Sequence, residues 1–213
     1  MTIDETRKLG IEFERRVQTM IPEAQLVSKL DTETIYSYIN QYQDKFVHDI
    51  YKSLDGIPTP SKVSSYIETI LQGLLTSKYY NDIDVTDGRY SVVLPEDFGL
   101  YLNSTTTVAN TYSFKQTDRE VSGIVPNTLI SKSKVDEFIT RPQDNMRIMR
   151  QPIAYLDENR TITVFCDRYT EPIKFGLSYY KVPSHMNLFL SKPCELPFDA
   201  FDDLVTGAVD LYV

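Results

Sequence analysis

Apolar residues recur at helical spacing through the first third of the chain, alternate at strand spacing through the middle, and return to helical spacing at the end. Ile11 to Met20 is a first helical stretch. Thr32 to about Ser53 is firmer, because Ile35, Tyr38, Ile39, Tyr42, Phe46 and Ile50 fall three and four apart and share one stripe. Gly56 and Pro58 end it. Thr59 followed by Pro60 has the form of an N-cap with proline at the first helical position. It opens a third helix with Val63, Tyr66, Ile67, Ile70, Leu71, Leu74 and Leu75 as its apolar set. The short connection predicts that the second and third helices form an antiparallel pair.

Beyond Tyr80 the period changes. Asn81 to Gly88 is an acidic, turn-rich connector, Tyr90 to Leu94 is a short strand, and Leu94-Pro95-Glu96-Asp97 has the form of a further helix start. Ser104 to Val125 is rich in Thr, Ser and Asn, with partial alternation through Val108, Tyr112 and Phe114, as expected of polar hairpin strands or a projecting arm. Ile153 to Leu156, Ile162 to Cys166 and Phe175 to Val182 are further strands, the first two joined by a turn at Asp157-Glu158-Asn159-Arg160. Leu196-Pro197 opens a closing amphipathic helix carrying Phe198, Phe201, Leu204, Val205, Ala208, Leu211 and Tyr212. The pattern predicts an α+β fold built as one composite domain. Residues 1–80 are its helical part, 81–195 its β-rich part with an arm at about 104–125, and 196–213 a C-terminal helix packed on the body.

Composition narrows the functional classes. A chain of 213 residues, 41% hydrophobic and 24% charged, supports a sizeable core. No window approaches the ~20 apolar residues that span a bilayer, so no membrane partner is expected. Met1 to Gly10 is polar and charged and lacks the apolar core of a secretory signal, which predicts synthesis and retention in a cytoplasm. Cys166 and Cys194 stand far apart without metal-ligand spacing and are expected to be small packing residues. The net charge of -8 argues against free-standing duplex binding, which depends on Lys and Arg at phosphates. Fifteen tyrosines and ten phenylalanines without tryptophan suit half-buried subunit contacts. Arg141 to Lys181 carries seven basic and five acidic residues, whereas Val182 to Val213 carries one lysine against five acids. That asymmetry is either a solvated face or a basic edge that meets the acidic terminal helix of a neighbour.

Chemistry-bearing residues are sparse. His48 lies on the second predicted helix and His185 in a loop, neither framed by a nucleophile or by metal spacing. Ser131-Lys132-Ser133-Lys134 contains S-x-x-K without the companion motifs of serine acyl enzymes. Asp199, Asp202 and Asp203 suit the dipole of the helix they open, at roughly 0.3–1 kcal/mol each. No phosphate-binding glycine loop is present, and the sequons at Asn103 and Asn159 are turn residues in a chain without a secretion signal. The residues therefore predict no catalytic, metal or cofactor site. An enzyme would need scattered carboxylates such as Asp97, Asp167 and Asp202 to converge.

The order of features resembles the head-to-tail connector proteins of tailed bacteriophages, in particular the neck ring or adaptor proteins of crAss-like phages. The residues that carry the resemblance run from Thr6 to Arg16, including Glu12-Phe13-Glu14-Arg15-Arg16, and through the helix with Ile35 to Asn40. They continue in Leu94-Pro95-Glu96-Asp97-Phe98, Tyr179-Tyr180-Lys181-Val182-Pro183, and Glu195-Leu196-Pro197 through Ala208-Val209-Asp210-Leu211-Tyr212. The resemblance implies a non-enzymatic virion protein, made in the bacterial host cytoplasm and located in the neck or tail. It implies a dodecameric ring of this chain below the portal protein, in contact with other neck or tail proteins, through which genomic DNA passes without specific binding. Another virion component, a capsid auxiliary or a tail protein, is the alternative. The expected interface residues are Tyr112 and Phe114 on the arm and Phe198, Phe201, Leu211 and Tyr212 on the terminal helix, the latter four serving either as an interface or as core of their own body.

Overall fold

Helix α1 (Ile3–Met20) begins two turns before the apolar spacing predicts, because Thr2 and Glu5 close a capping box. The Glu5 amide donates to Thr2 Oγ1 (3.3 Å) and the Thr2 amide to Glu5 Oε2 (2.7 Å), which satisfies two otherwise orphaned donors. The computed structural model describes residues 1–21, 30–54, 64–86, 88–112, 119–140, 152–166 and 171–213, and of 110–112, 119–122 and 138–140 it describes the backbone alone. The remaining elements are α2 (Thr32–Leu54), α3 (Ser65–Leu74), β1 (Leu75–Tyr80), β2 (Arg89–Val93), β3 (Phe98–Tyr112), β4 (Arg119–Pro126), β5 (Thr128–Leu129), α4 (Lys132–Thr140), β6 (Ile153–Asp157), β7 (Thr161–Phe165), β8 (Glu171–Lys181) and α5 (Phe201–Tyr212), the last preceded by a 3-10 turn at Phe198–Ala200. The class is α+β, with helices first, a β-rich middle and a closing helix.

The chain divides into two units, Met1–Leu75 with Tyr180–Val213, and Thr76–Tyr179. These limits differ from 80 and 195. Strand β1 takes the chain out of the helices at Leu75, and residues 180–195 belong with the helices because their backbone is hydrogen-bonded to α2. In the helical unit α5 packs on α2 and α1, burying Leu204, Val205, Ala208 and Val209 against Leu9, Phe13, Val17, Ile35, Ile39 and Val47. The Tyr212 ring meets Phe13 and Tyr38 edge-on at 5.9 and 5.2 Å. Arg16 joins the two ends of the chain, donating to Glu12, to Thr206 Oγ1 and to Asp202 Oδ1. Helix α3 is capped by Ser64, whose Oγ accepts from the Ile67 amide, and buries Ile70, Leu71 and Leu74. The cap expected at Thr59-Pro60, with Val63, lies outside the described residues.

The second unit is two four-stranded sheets, ordered β1-β8-β3-β4 and β2-β7-β6-β5. One core joins them, containing Tyr90, Val92, Ala154, Ile162, Val164, Phe175, Leu177 and Tyr179, with the Tyr90 and Phe175 rings edge-on at 6.0 Å. Within the polar stretch at 104–125, β3 and β4 pair antiparallel from Thr105↔Pro126 to Tyr112↔Arg119, and 113–118 lie outside the described residues. The inward positions of β3 include Ser104, Thr106 and Val108, so part of the core is polar. Tyr90 donates to Thr106 Oγ1 (2.7 Å), Thr106 donates to Asn127 Oδ1 (2.7 Å), and Asn127 Nδ2 donates to Ser104 Oγ (3.0 Å), a relay that gives the buried Tyr90, Thr106 and Ser104 hydroxyls partners. Leu94-Pro95-Glu96-Asp97 does not start a helix. It is the turn between β2 and β3, because the Phe98 amide returns to Pro95 O (3.1 Å) and Arg160 draws the Pro95 and Glu96 carbonyls outward, while strand-forming residues follow.

The closest approach in the helical unit is at Gly207, where an added Cβ would stand 1.9 Å from Tyr42 Cζ. Alanine there gains about 1 kcal/mol of helix propensity but incurs overpacking of about 1–3 kcal/mol against a half-buried ring. Gly207→Ala is therefore expected to lower stability by about 1 kcal/mol, and by no more than about 2, in urea titration, and Tyr42→Ala in the same chain is expected to recover part of that loss.

Candidate docking site

Helix α2 turns Ile35, Ile39, Gln43, Val47 and Ile50 to the core, and Gln43 within that stripe, with Asn40 and Asp44 beside it, holds the segment that follows β8. Asn40 makes a two-way bridge to Met186, its Oδ1 accepting from the Met186 amide (2.9 Å) and its Nδ2 donating to the Met186 carbonyl (3.1 Å). Gln43 is fully buried, donates to Ser184 O (3.3 Å) and accepts from the Cys194 thiol (3.6 Å). Asp44 Oδ2 lies 2.8 Å from His185 Nε2, and Tyr51 OH donates to Lys181 O (2.7 Å). Glu195 adds a carboxylate that accepts from the Ser184 amide and from Lys181 Nζ.

This scaffold presents a short hairpin loop whose ends, Asn187 and Lys192, exchange backbone bonds of 3.0 and 2.8 Å. Its tip is ordered further by a turn from Ser191 N to Leu188 O (3.2 Å), by Asn187 Oδ1 accepting from the Leu190 amide (3.0 Å), and by Ser191 at φ 55. At the tip Phe189 is 75% and Leu190 66% exposed. Between the loop and Thr32–Asp44 of α2 runs an open groove of about 630 Å³, lined by Glu33, Tyr36, Ser37, Gln41, His185 and Phe189 among others. Two large apolar side chains held in water on a rigid loop have already lost much of their ordering entropy, which is the arrangement of a protein-docking tip.

The predicted interface residues divide. Phe198 is 56% exposed with its ring 5.3 Å from that of half-buried Phe201, and Leu211 is 37% exposed. Tyr212 is used inside the subunit, between Phe13 and Tyr38. Phe114 lies outside the described residues, and Tyr112 is described only as the strand partner of Arg119. Phe189 and Leu190 were legible as part of an apolar run, Leu188 to Leu190, between Asn187 and Ser191, a turn-forming pattern that periodicity does not weigh.

The candidate chemical groups do not converge among the described residues. His48 is exposed on α2, and no Ser, Thr or Cys there is bonded to His185. Ser131 precedes α4 with its Oγ near that of Ser133, while Lys132 pairs with Asp157. Asp97 accepts from Tyr179 OH, Asp202 from Arg16, Asp203 from Tyr66 OH, and Asp167 lies outside the described residues. Among the described residues no three His, Cys, Asp or Glu side chains group to hold a metal ion, and no helix is long and apolar enough to cross a membrane. Cys166 and Cys194 are buried. Compared with known proteins, the chain matches no protein family and no curated protein sequence.

Replacing Asn40 by Ala leaves the Met186 amide without its side-chain partner and is expected to cost about 1–3 kcal/mol. Faster hydrogen exchange at 184–192 is the local signature to measure.

Burial pushes the Cys194 thiol up to about 11 from 9.0, so above pH 9 the unfolded chain sheds a proton that the folded chain keeps. Its stabilising effect is complete below pH 9 and lost as pH rises toward 11, with a fall of about 1 kcal/mol between pH 9 and 10. Cys194→Ala is expected to remove that part of the decline in urea titrations at the two pH values.

Proposed function

We propose that the protein is a virion structural subunit of a tailed bacteriophage, forming a ring below the portal that extends the DNA channel and joins capsid to tail. The observation that carries this reading is the rigid loop at 187–192 with Phe189 and Leu190 exposed at its tip, which fits docking to another subunit and no chemical step. The exposed Phe198 adds apolar surface to the same unit. The resemblance in order of features to neck ring proteins, noted in the sequence, supports the ring as the assembly. The net charge of -8 accords with a channel wall that repels phosphates and lets DNA slide. The partners in this reading are further copies of the chain, the portal, and neck or tail proteins, and no reaction is assigned to it.

Quantitative mass spectrometry of gradient-purified particles, calibrated on the major capsid protein, tests the reading. The expected result is a fixed copy number near that of a portal ring. Hundreds of copies assign the chain to the capsid instead, and its absence from particles overturns the virion reading. A second expectation concerns the tip. Phe189→Ser with Leu190→Ser leaves the stability of the subunit in urea titration within about 0.5 kcal/mol of wild type, since both side chains are exposed, but abolishes incorporation into particles.

A further inference from the structure

Away from the 187–192 loop, the helical unit carries a second run of aromatic side chains that reach the surface. Tyr42 and Phe46 stack on α2 with ring centroids 6.2 Å apart, Tyr66 of α3 donates its hydroxyl to Asp203 on α5, and the Phe198 ring lies 5.3 Å from that of Phe201 where α5 begins. Phe198 is 56% and Tyr66 36% exposed, and the other three are half-buried. The charges that act on the two tyrosines are carboxylates. Burial raises both hydroxyls above the usual phenol range, Asp203, Asp210 and Asp49 raise Tyr42 further, and Asp203 and Asp199 do the same to Tyr66. Asp49, Asp199, Asp203 and Asp210 are exposed, and among the described residues none of them pairs with a Lys, Arg or His side chain.

Folding alone does not account for this set. Asp199 and Asp203 suit the N-terminal end of the α5 dipole, but Asp210 stands in the last turn, where the dipole disfavours negative charge and no basic residue offsets it. Like charges gathered around one ring also repel, so the free chain carries a local conflict that a cationic partner relieves. The geometry points to this face as the docking site of a protein segment that carries Lys or Arg among apolar residues. The apolar side chains of that segment cover Phe198 and Phe201, and its cations meet the Tyr42 and Tyr66 rings between the carboxylates. A chain of net charge -8 is a poor source of such a segment, so the occupant is a different protein and not a second copy. The inference rests on the reading that the chain works by docking, and adds the chemistry of a partner other than itself.

The test uses the full chain and, as probes, a short synthetic peptide of Leu and Lys and its counterpart of Leu and Glu, followed by calorimetry and by NMR of the aromatic ring signals. The Leu–Lys peptide is expected to shift the Tyr42, Tyr66 and Phe198 rings, and the Leu–Glu peptide to leave them in place. Asp203→Asn with Asp210→Asn is expected to weaken binding ~tenfold or more, and Phe198→Ser to weaken it by a similar factor. Asp210→Asn alone is expected to leave stability in urea titration at or above that of wild type, because the conflict with the dipole is gone. Glu14→Gln with Asp31→Asn removes the same charge from α1 and from the start of α2, and is expected to bind like the wild type. Equal weakening by the two charge-matched pairs overturns the proposal, since the attraction is then general to an acidic chain. So does a Phe198→Ser chain that binds as tightly as wild type, and so does a Leu–Lys peptide that leaves these rings unmoved. Should the double Asn variant fail to fold, Asp210→Asn and Phe198→Ser decide. These outcomes are read on purified chain and the virion reading on particle copy number, so failure of one is distinguishable from failure of the other.

Discussion

The helical unit depends on how closely α5 can approach α2. Gly207 faces Tyr42, and no larger residue fits beneath that ring without displacement. Only at that separation do Leu204, Val205 and Ala208 reach full burial against α1 and α2, and Tyr212 reach Phe13 and Tyr38. A second close contact acts on the other side of α2, where Tyr36 lies over Gly10 and donates its hydroxyl to Thr6 O (2.8 Å). Two tyrosines over two glycines thus set the spacing of three helices. Arg16 then links α1 and α5 through Glu12, Asp202 and Thr206, although pairs at that degree of exposure contribute little beside the buried apolar surface.

The same helix that anchors the core also holds the segment that leads into the 187–192 loop. Gln43 lies in the buried stripe between Ile39 and Val47, with Asn40 beside it, and these two side chains satisfy backbone groups of Ser184 and Met186. Thr6 extends this pinning, accepting from the Cys194 amide while donating to Thr2 O. The segments that flank the loop are thus held by long-range side-chain bonds, and the loop itself by the local bonds among Asn187, Leu188, Leu190, Ser191 and Lys192.

Much of this was legible in the sequence. The limits of α2, the strands at 153–157 and 161–165 with their turn, and the polar hairpin followed from spacing and turn residues. Several of the losses share one cause, that hydrophobic period does not report the burial of polar residues. Ser104, Thr106, Gln43 and Thr6 are buried because each is fully hydrogen-bonded, which no period signals. The first turns of α1 were hidden by charged residues although Thr2 and Glu5 had capping-box spacing. Leu94-Pro95-Glu96-Asp97 has helix-start chemistry, but a buried Leu94 and the Arg160 bonds to its carbonyls override it. Phe198 and Leu211 fit the apolar face of the terminal helix, yet they flank the contact that Leu204 and Ala208 make.

The account's central claim is that this subunit works by docking through preformed surfaces. A cryo-microscopy reconstruction of the neck of purified particles at side-chain resolution tests it most directly. The account predicts this chain in a closed ring with the Phe189 and Leu190 tip buried in an adjoining subunit. A neck in which the chain is absent, or in which that tip stands in solvent while other surfaces make every contact, would contradict it.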